Sequence, residues 1–496
     1  MTNITAGEAA IARLDTAVDA FEHILTGAEG EVIGVPNHPP QPTLATRVKT
    51  SLDALTQSPA QSAAEAAGYA EEAAESLAAA QKLTSVPFED APFPDVWAPL
   101  NDNLILLAGF APADTITVAG TSYSLPTKSM TFTRSTTATY IDKSGVLRTA
   151  AINEPRFERN GILMEGASVN YFLNSEDPTK WSNNGTITKA TITDGTTQAV
   201  TCQGTINTDT PSAQLHASSN ITVVTGDTVT LSARAKSTLG RLRFRFTLDG
   251  TQVAEALFDA VTGAFISSTA GLIFTTSLNP SDGYSYISVT FSAAASGNVS
   301  GNIWFSSASG NLAVGSVVNY QTIQCEKNSI ATSYIPTGAS AATRATDALS
   351  LQPSCNIGYR LVGDQFNRTT SFDVTVDKYG MPAAGYFELL EATGANYDKF
   401  IRAHPLRIEA FRSSSSLTIP ITYPLATTKY VQTIDSLNVM SLYLGDAIAS
   451  KTVLANQPTT APAQIKFGTS ASCVYHIRNF RIWHRKLTLN QINGLR

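Results

Sequence analysis

At 496 residues the chain is too long for one hydrophobic core, and its length argues for about three domains. A net charge of −6, with no Lys/Arg run of polybasic density, excludes a nucleic-acid backbone as main partner, because such binding needs a basic face. The most apolar run, Leu104 to Ala108 with Phe110 following, is far short of a membrane span, and no basic segment leads into an apolar one at the start, so neither membrane insertion nor a signal peptide is expected.

The first predicted element is a helix over residues 6–26. Ile11, Leu14, Val18, Phe21 and Leu25 are spaced 3, 4, 3 and 4, one stripe of a heptad, and Gly27 and Gly30 end it. The stripe could face another copy of the chain or fold back on its own protein. Pro36, Pro39, Pro40 and Pro42 then make the chain extended and stiff. A second short helix carries Leu44, Val48, Leu52 and Leu55 on one side. A third is expected over 60–82, with Ala63, Ala66, Ala70, Ala73, Leu77 and Ala80 at 3-4 spacing and Glu65, Glu71, Glu72 and Glu75 off the stripe. So small a seam buries little area, at about 25 cal/mol per Å², and a lone Ala-rich helix is marginal in water. Association into a slender bundle is therefore expected over a solitary surface helix.

Pro87, Pro92, Pro94 and Pro99 close the helical part, and near residue 86 the period changes from helical to alternating. Residues 131–174 read TFTRSTTATYIDKSGVLRTAAINEPRFERNGILMEGASVNYFLN, a series of short strands broken by turn chemistry. The glycines at 145 and 161 are expected where the backbone needs φ > 0. From 175 to 345, strands such as TVTLSAR (228–234), RLRFRFTL (241–248), YISVTF (286–291) and GNIWF (301–305) alternate with turns at Gly226-Asp227, Asp249-Gly250 and Asp282-Gly283. That spacing predicts a two-sheet sandwich. From 346 a second sandwich is expected, because Phe372, Val374 and Val376 alternate with Asp373, Thr375 and Asp377. Cysteines at 202, 325, 355 and 473 form no CxxC pair, so buried free thiols are expected.

The stretch 131–174 closely resembles a connector found in bacteriophage tail fibres and tail appendages. GEVIGVPNHPPQPTLATRVKTSLD, from residue 30, resembles the anchor region of several such fibres. WSNNGTI, GDTVTLSARAKS and FDAVTGAFIS resemble the carbohydrate-binding-module sandwiches that follow the connector, and QTIQCEKNSIATSYIPTGASAATRATD (321–347) resembles their closure. The ending YHIRNFRIWHRKLTLNQINGLR resembles the last strand and short helix of laminin-G-like, concanavalin-type lectin domains, through Ile477, Phe480, Ile482, Trp483, Leu487, Gln491, Ile492 and Leu495. SLYLGDAIAS (441–450) fits that family's hairpin with Gly445-Asp446 in place of Asn-Gly.

Catalytic signatures are absent from the sequence. No GxSxG occurs, none of the histidines at 23, 38, 216, 404, 476 and 484 has a spaced partner, and neither a DxDxDG calcium loop nor a phosphate-cradling glycine loop is present. No catalytic residue, metal or cofactor is expected. Sugar binding needs an aromatic platform with polar neighbours, and the candidates are Tyr379, Tyr386, Tyr397, Phe400 and Arg402 in the last block. Tyr284 and Trp304 are the candidates in the middle block, although an alternating strand favours a core role for Trp304.

The expected fold is mainly β with an α-helical N-terminal region: tandem antiparallel β-sandwiches of jelly-roll type after a helical bundle or coiled coil. The expected divisions are 1–86 (virion anchor and oligomerisation), 87–174 (connector), 175–345 (carbohydrate-binding-module-like sandwich) and 346–496 (laminin-G/concanavalin A-like sandwich). The resemblance implies an elongated homotrimeric tail fibre, made in the host cytoplasm and carried on the virion. It would join other phage tail proteins through its N-terminal region and bind a bacterial surface glycan or outer-membrane receptor. A host-polysaccharide depolymerase or deacetylase, and a purely structural adaptor fibre, remain the alternatives.

Overall fold

The structure is a computed structural model that describes residues 6–35, 39–54, 70, 89–108, 113–118, 121–126, 129–182, 186–351, 367–382, 384–393, 401–412, 415–435, 437, 439–452 and 464–495. It divides into two compact units, Met1–Ala91 with Leu489–Leu495, and Pro92–Thr488.

In the first unit, helix α1 (Ala6–Thr26) covers the residues its apolar spacing predicts. Gly27 ends it by donating its N–H to the His23 carbonyl at 2.7 Å. Val32–Ile33 then pairs antiparallel with Gln41–Pro42, so the proline-rich stretch closes a short ladder rather than running on as a stiff spacer. Thr43, fully buried, caps α2 (Leu44–Ala54) by accepting the Thr46 N–H at 3.3 Å. On α1, Val18 and Leu25 are 42% and 40% exposed and Phe21 is half-buried; the side chains of Ile11 and Leu14 lie outside the described residues. The expected helical bundle is not seen. Only α1 and α2 are described before residue 89, and of the third predicted helix Ala63, Ala66, Ala73, Leu77 and Ala80 lie outside the described residues, while Ala70 is exposed. A short helix, α3 (Leu489–Leu495), accepts the Glu89 N–H on its Asn490 carbonyl at 3.1 Å.

Among the described residues the second unit is mainly β, with every strand pair antiparallel and one 3-10 turn at Pro178–Lys180; this agrees with the mainly-β expectation, but the sandwiches are not in tandem. One sandwich has an eight-stranded sheet that includes, in order, Ile187–Thr193, Val200–Ile206, Val317–Glu326, Thr228–Ser237, Ser285–Ser292 and Ile273–Leu278. Facing it is a six-stranded sheet through Ser212–Ala217, Gly297–Ser306, Arg241–Leu248, Thr251–Asp259 and Phe265–Ser268. RLRFRFTL shows why the layers close: Leu242, Phe244 and Phe246 point into the shared core while Arg241, Arg243 and Arg245 point out. Each such buried side chain contributes roughly 1.5–3 kcal/mol of apolar transfer. Asp249 and Gly250 form a two-residue hairpin loop, both at positive φ, between paired Leu248 and Thr251.

The other sandwich packs a sheet containing Ala447–Thr452, Val439–Leu444, Leu425–Ile434, Arg368–Tyr379 and Cys473–Trp483 against one containing Ser415–Pro420, Arg407–Arg412, Ile401–His404, Phe387–Thr393, Gln464–Phe467 and Ala348–Leu351. Strands from before the middle sandwich complete both sheets. Gly161–Glu165 and Val96–Ala98 pair with Cys473–Trp483, and Thr131–Thr133 pairs with Ala348–Leu351. The middle sandwich is thus inserted between strands of the other one. Its entry and exit strands, Ser168–Asn170 and Ala342–Arg344, are paired with each other.

The segments that carry the family resemblance meet at this insertion point. Arg134, Arg156, Glu165, Glu326, Arg344 and Asp347 are each at most 1% exposed. Arg156 binds Glu165 at 2.7 Å and Asp347 at 2.5 Å, Arg134 reaches Asp347 at 3.2 Å, and Arg344 lies 3.0 Å from Glu165. Ser333 donates both its N–H and its hydroxyl to Glu165, at 2.7 and 2.6 Å. Burial opposes ionisation of Glu165, yet Arg344, Arg156 and the Ser333 donors outweigh it and hold the carboxyl at about 2. At Glu326 burial wins and raises the pKa, against hydrogen bonds from Ser168 and Thr332.

Candidate functional site

Two outward sheet faces and one buried histidine carry the chemistry of the second unit. On the last sandwich, the adjacent strands Phe387–Thr393, Ile401–His404 and Arg407–Arg412 bring Glu388, Arg402 and Glu409 into one row, because each is the register partner of the next. Arg402 Nε donates to Glu388 at 3.1 Å, and Glu409 accepts from His404 at 2.8 Å. Burial works against the Glu409 charge, but the His404 and Ser416 hydrogen bonds and the nearby His404 and Arg402 charges outweigh it and keep its pKa below the usual range. Tyr386 stands over this row, 44% exposed, with the Arg402 guanidinium 4.7 Å from its ring centroid and the His404 ring at 5.1 Å. An exposed ring beside fixed donors and acceptors can stack on one face of a sugar while hydrogen-bonding its hydroxyls.

Tyr386 and Arg402 are therefore the two sequence candidates that the fold brings together. Tyr379 goes elsewhere: it stacks on Tyr423 at 4.1 Å, its hydroxyl donates to the Ala403 carbonyl at 2.9 Å, and burial raises its pKa. Its ring faces are used within the protein. Tyr397 and Phe400 lie outside the described residues.

On the middle sandwich, Trp304 does not join the core as its strand position suggests. It is half-buried on the outer face, in register with Gln214 and Arg243. Arg245 lies over its ring at 4.5 Å and binds Glu255 through Nε and Nη2 at 2.9 and 2.7 Å. The indole face is already occupied, so this sheet offers solvent a guanidinium–carboxylate plane flanked by Asn302 and Gln214, which bond each other at 2.8 Å. Tyr284 is fully buried, with its hydroxyl on Asp194 at 3.1 Å and Arg234 and Lys236 against its ring. It is a packing residue.

His476 is the residue the sequence hid. It is 4% exposed, with Nδ1 2.7 Å from Asp377 and Nε2 3.0 Å from Glu158. Burial disfavours its charge, but both carboxylates outweigh that and push its pKa up to about 9. With both nitrogens engaged it has none left to act as a general base, and no nucleophile is bonded to it. His216 is the opposite case: stacked on Trp181 at 5.5 Å, it is held neutral by burial and the Lys189 charge, at about 4. Cys202, Cys325 and Cys473 are buried free thiols, and burial raises the pKa of each. Among the described residues there is no group of three or more His, Cys, Asp or Glu that could hold a metal, and no described helix is long and apolar enough to cross a membrane.

No protein-family model matches the chain, and no curated protein matches it. Solved structures similar to it include the receptor-binding domain of botulinum neurotoxin type G, at 16% identity and a TM-score of 0.23 over 30% of this chain and 42% of that one. The binding domain of botulinum neurotoxin DC in complex with SialylT matches at 17% identity and a TM-score of 0.24, over 30% of this chain and 39% of that one. A Trypanosoma rangeli sialidase in complex with sialic acid matches at 11% identity and a TM-score of 0.22, over 77% of this chain and 61% of that one. The chain spans less than two thirds of the length of each of these structures.

Proposed function

We propose that this chain is a bacteriophage tail-fibre or tail-appendage subunit that grips a glycan on the bacterial surface with the outer face of its last sandwich. The observation that carries the adhesive half is the exposed Tyr386 ring held beside Arg402 over the Glu388–Arg402–Glu409 row. The virion half is supported by the sequence resemblance of residues 131–174, 321–347 and 475–496 to tail-fibre connectors, closures and lectin-like endings. In this reading the α1 stripe associates three copies, and linked copies of a weak site gain avidity without any new contact.

Binding of the fluorescently labelled full chain to bacterial cells and to an array of bacterial surface glycans tests the proposal. Tyr386→Ala is expected to weaken glycan retention at least tenfold, while its thermal midpoint stays within a few degrees of wild type. Wild-type retention on no array glycan and on no cell, or unchanged retention by Tyr386→Ala, would sink it.

A further inference from the structure

We propose a second binding site: the cleft where the two sandwiches and the 138–160 segment meet takes one neutral saccharide unit. The cleft has a volume of about 480 Å³ and is lined by Tyr140, Asn160, Ser232, Tyr286, Asp377 and His476 among others. That volume falls within the range of small-molecule pockets, about 300–1,000 Å³.

Unused hydrogen-bonding capacity points into this space. Ser232 is 3% exposed, and its hydroxyl has no hydrogen-bond partner among the described residues. A hydroxyl lining the cleft can bond a hydroxyl of the occupant. The Tyr140 hydroxyl and the Asn160 amide likewise have no partner among the described residues. Asp377 gives Oδ2 to His476 and keeps Oδ1 open. The Tyr286 hydroxyl accepts from Lys378 at 2.9 Å and retains its own proton to donate.

Charge decides the ligand class. His476 is held between Asp377 and Glu158, Arg234 is bound to Asp282 at 2.8 Å, and Lys378 donates to Tyr286 and to the Ala331 carbonyl. Among the described lining residues, Arg159 alone is a cation without an acidic or hydroxyl partner, and it is exposed. A phosphate or carboxylate would need several uncommitted cations. A polyhydroxylated neutral ring needs what this wall has, scattered single donors and acceptors with the Tyr140 ring for its apolar face.

Titrating the full chain with D-glucose, D-galactose, N-acetylglucosamine and inorganic phosphate, each followed by calorimetry and saturation-transfer NMR, tests the assignment. At least one of the three sugars is expected to bind saturably in the millimolar range. Tyr140→Phe and Asn160→Ala, which remove single polar groups from a half-buried wall, are each expected to weaken it at least fivefold when made in the Tyr386→Ala background, where the outer face no longer contributes. Saturable binding of none of the sugars overturns the site, as does phosphate binding that competes with them. Sugar binding abolished by Tyr386→Ala alone places the sugar on the outer face; it overturns this site while leaving the proposed function standing.

Discussion

His476 couples the stability of the molecule to alkaline pH. Its folded pKa of about 9 lies above the ordinary histidine value, so its contribution is complete below about pH 6.5 and is lost as pH rises through 9. Roughly 3 kcal/mol is at stake. Chemical denaturation at pH 6 and pH 9.5 should show wild type losing about that much, with His476→Gln showing a much smaller difference between the two conditions. Nothing local in the sequence announces this residue, because its partners stand 99 and 318 positions away. Tyr386 and Arg402 were singled out because loops and strand ends concentrate exposed polar aromatic residues, and the fold sets the guanidinium 4.7 Å from the ring centroid. The row of carboxylates beneath them depends on strand register, which spacing alone does not fix. Trp304 was misplaced for a related reason: alternation shows that a strand has two faces without saying which one is wet.

Turns were the most legible elements. Gly145 and Gly161 take φ of +87° and +119°, as their turn contexts require, and Gly445 takes +53° in the two-residue loop between paired Leu444 and Ala447. Gly161→Ala would add strain at that φ and drive a side chain into the Ile477 carbonyl, so a loss of about 1–3 kcal/mol in denaturation is expected. Less legible was what the recognisable motifs are for. TFTR, NEPRF, MEG and TRATD each send a charged side chain into the same buried network, so those charged residues act as an internal fastening. Arg156→Met should cost about 3–5 kcal/mol, since it leaves Glu165 and Asp347 buried with less compensation. Acid should act on the same element. Glu165, depressed to about 2, contributes stability above its unfolded value of 4.5 that is lost as pH falls through 2, and Glu165→Gln should flatten that part of the profile.

For the whole molecule, two sandwiches could be read from sequence, whereas their interleaving could not, because pairing Gly161–Glu165 with Cys473–Trp483 skips over an entire module. In the proposed trimer the exposed Val18 and Leu25 supply the association surface. Light scattering on the full chain should give a mass near three times 52.6 kDa, and the Val18→Asp, Leu25→Asp double variant should run as a monomer with its glycan specificity intact. A monomeric wild type would end the trimer proposal.

Because Ser168–Asn170 and Ala342–Arg344 are laddered side by side, the chain enters and leaves the inserted sandwich at one place, while bonds from Lys378, Asn328 and Ser329 fasten its flank to the host. Any foreign module whose termini lie equally close could replace it without unthreading the host's own strands. By the same logic, cutting the chain after residue 347 would not remove one sandwich neatly. It would strip the earlier segments 96–98, 131–133 and 161–165 of the strands that complete them.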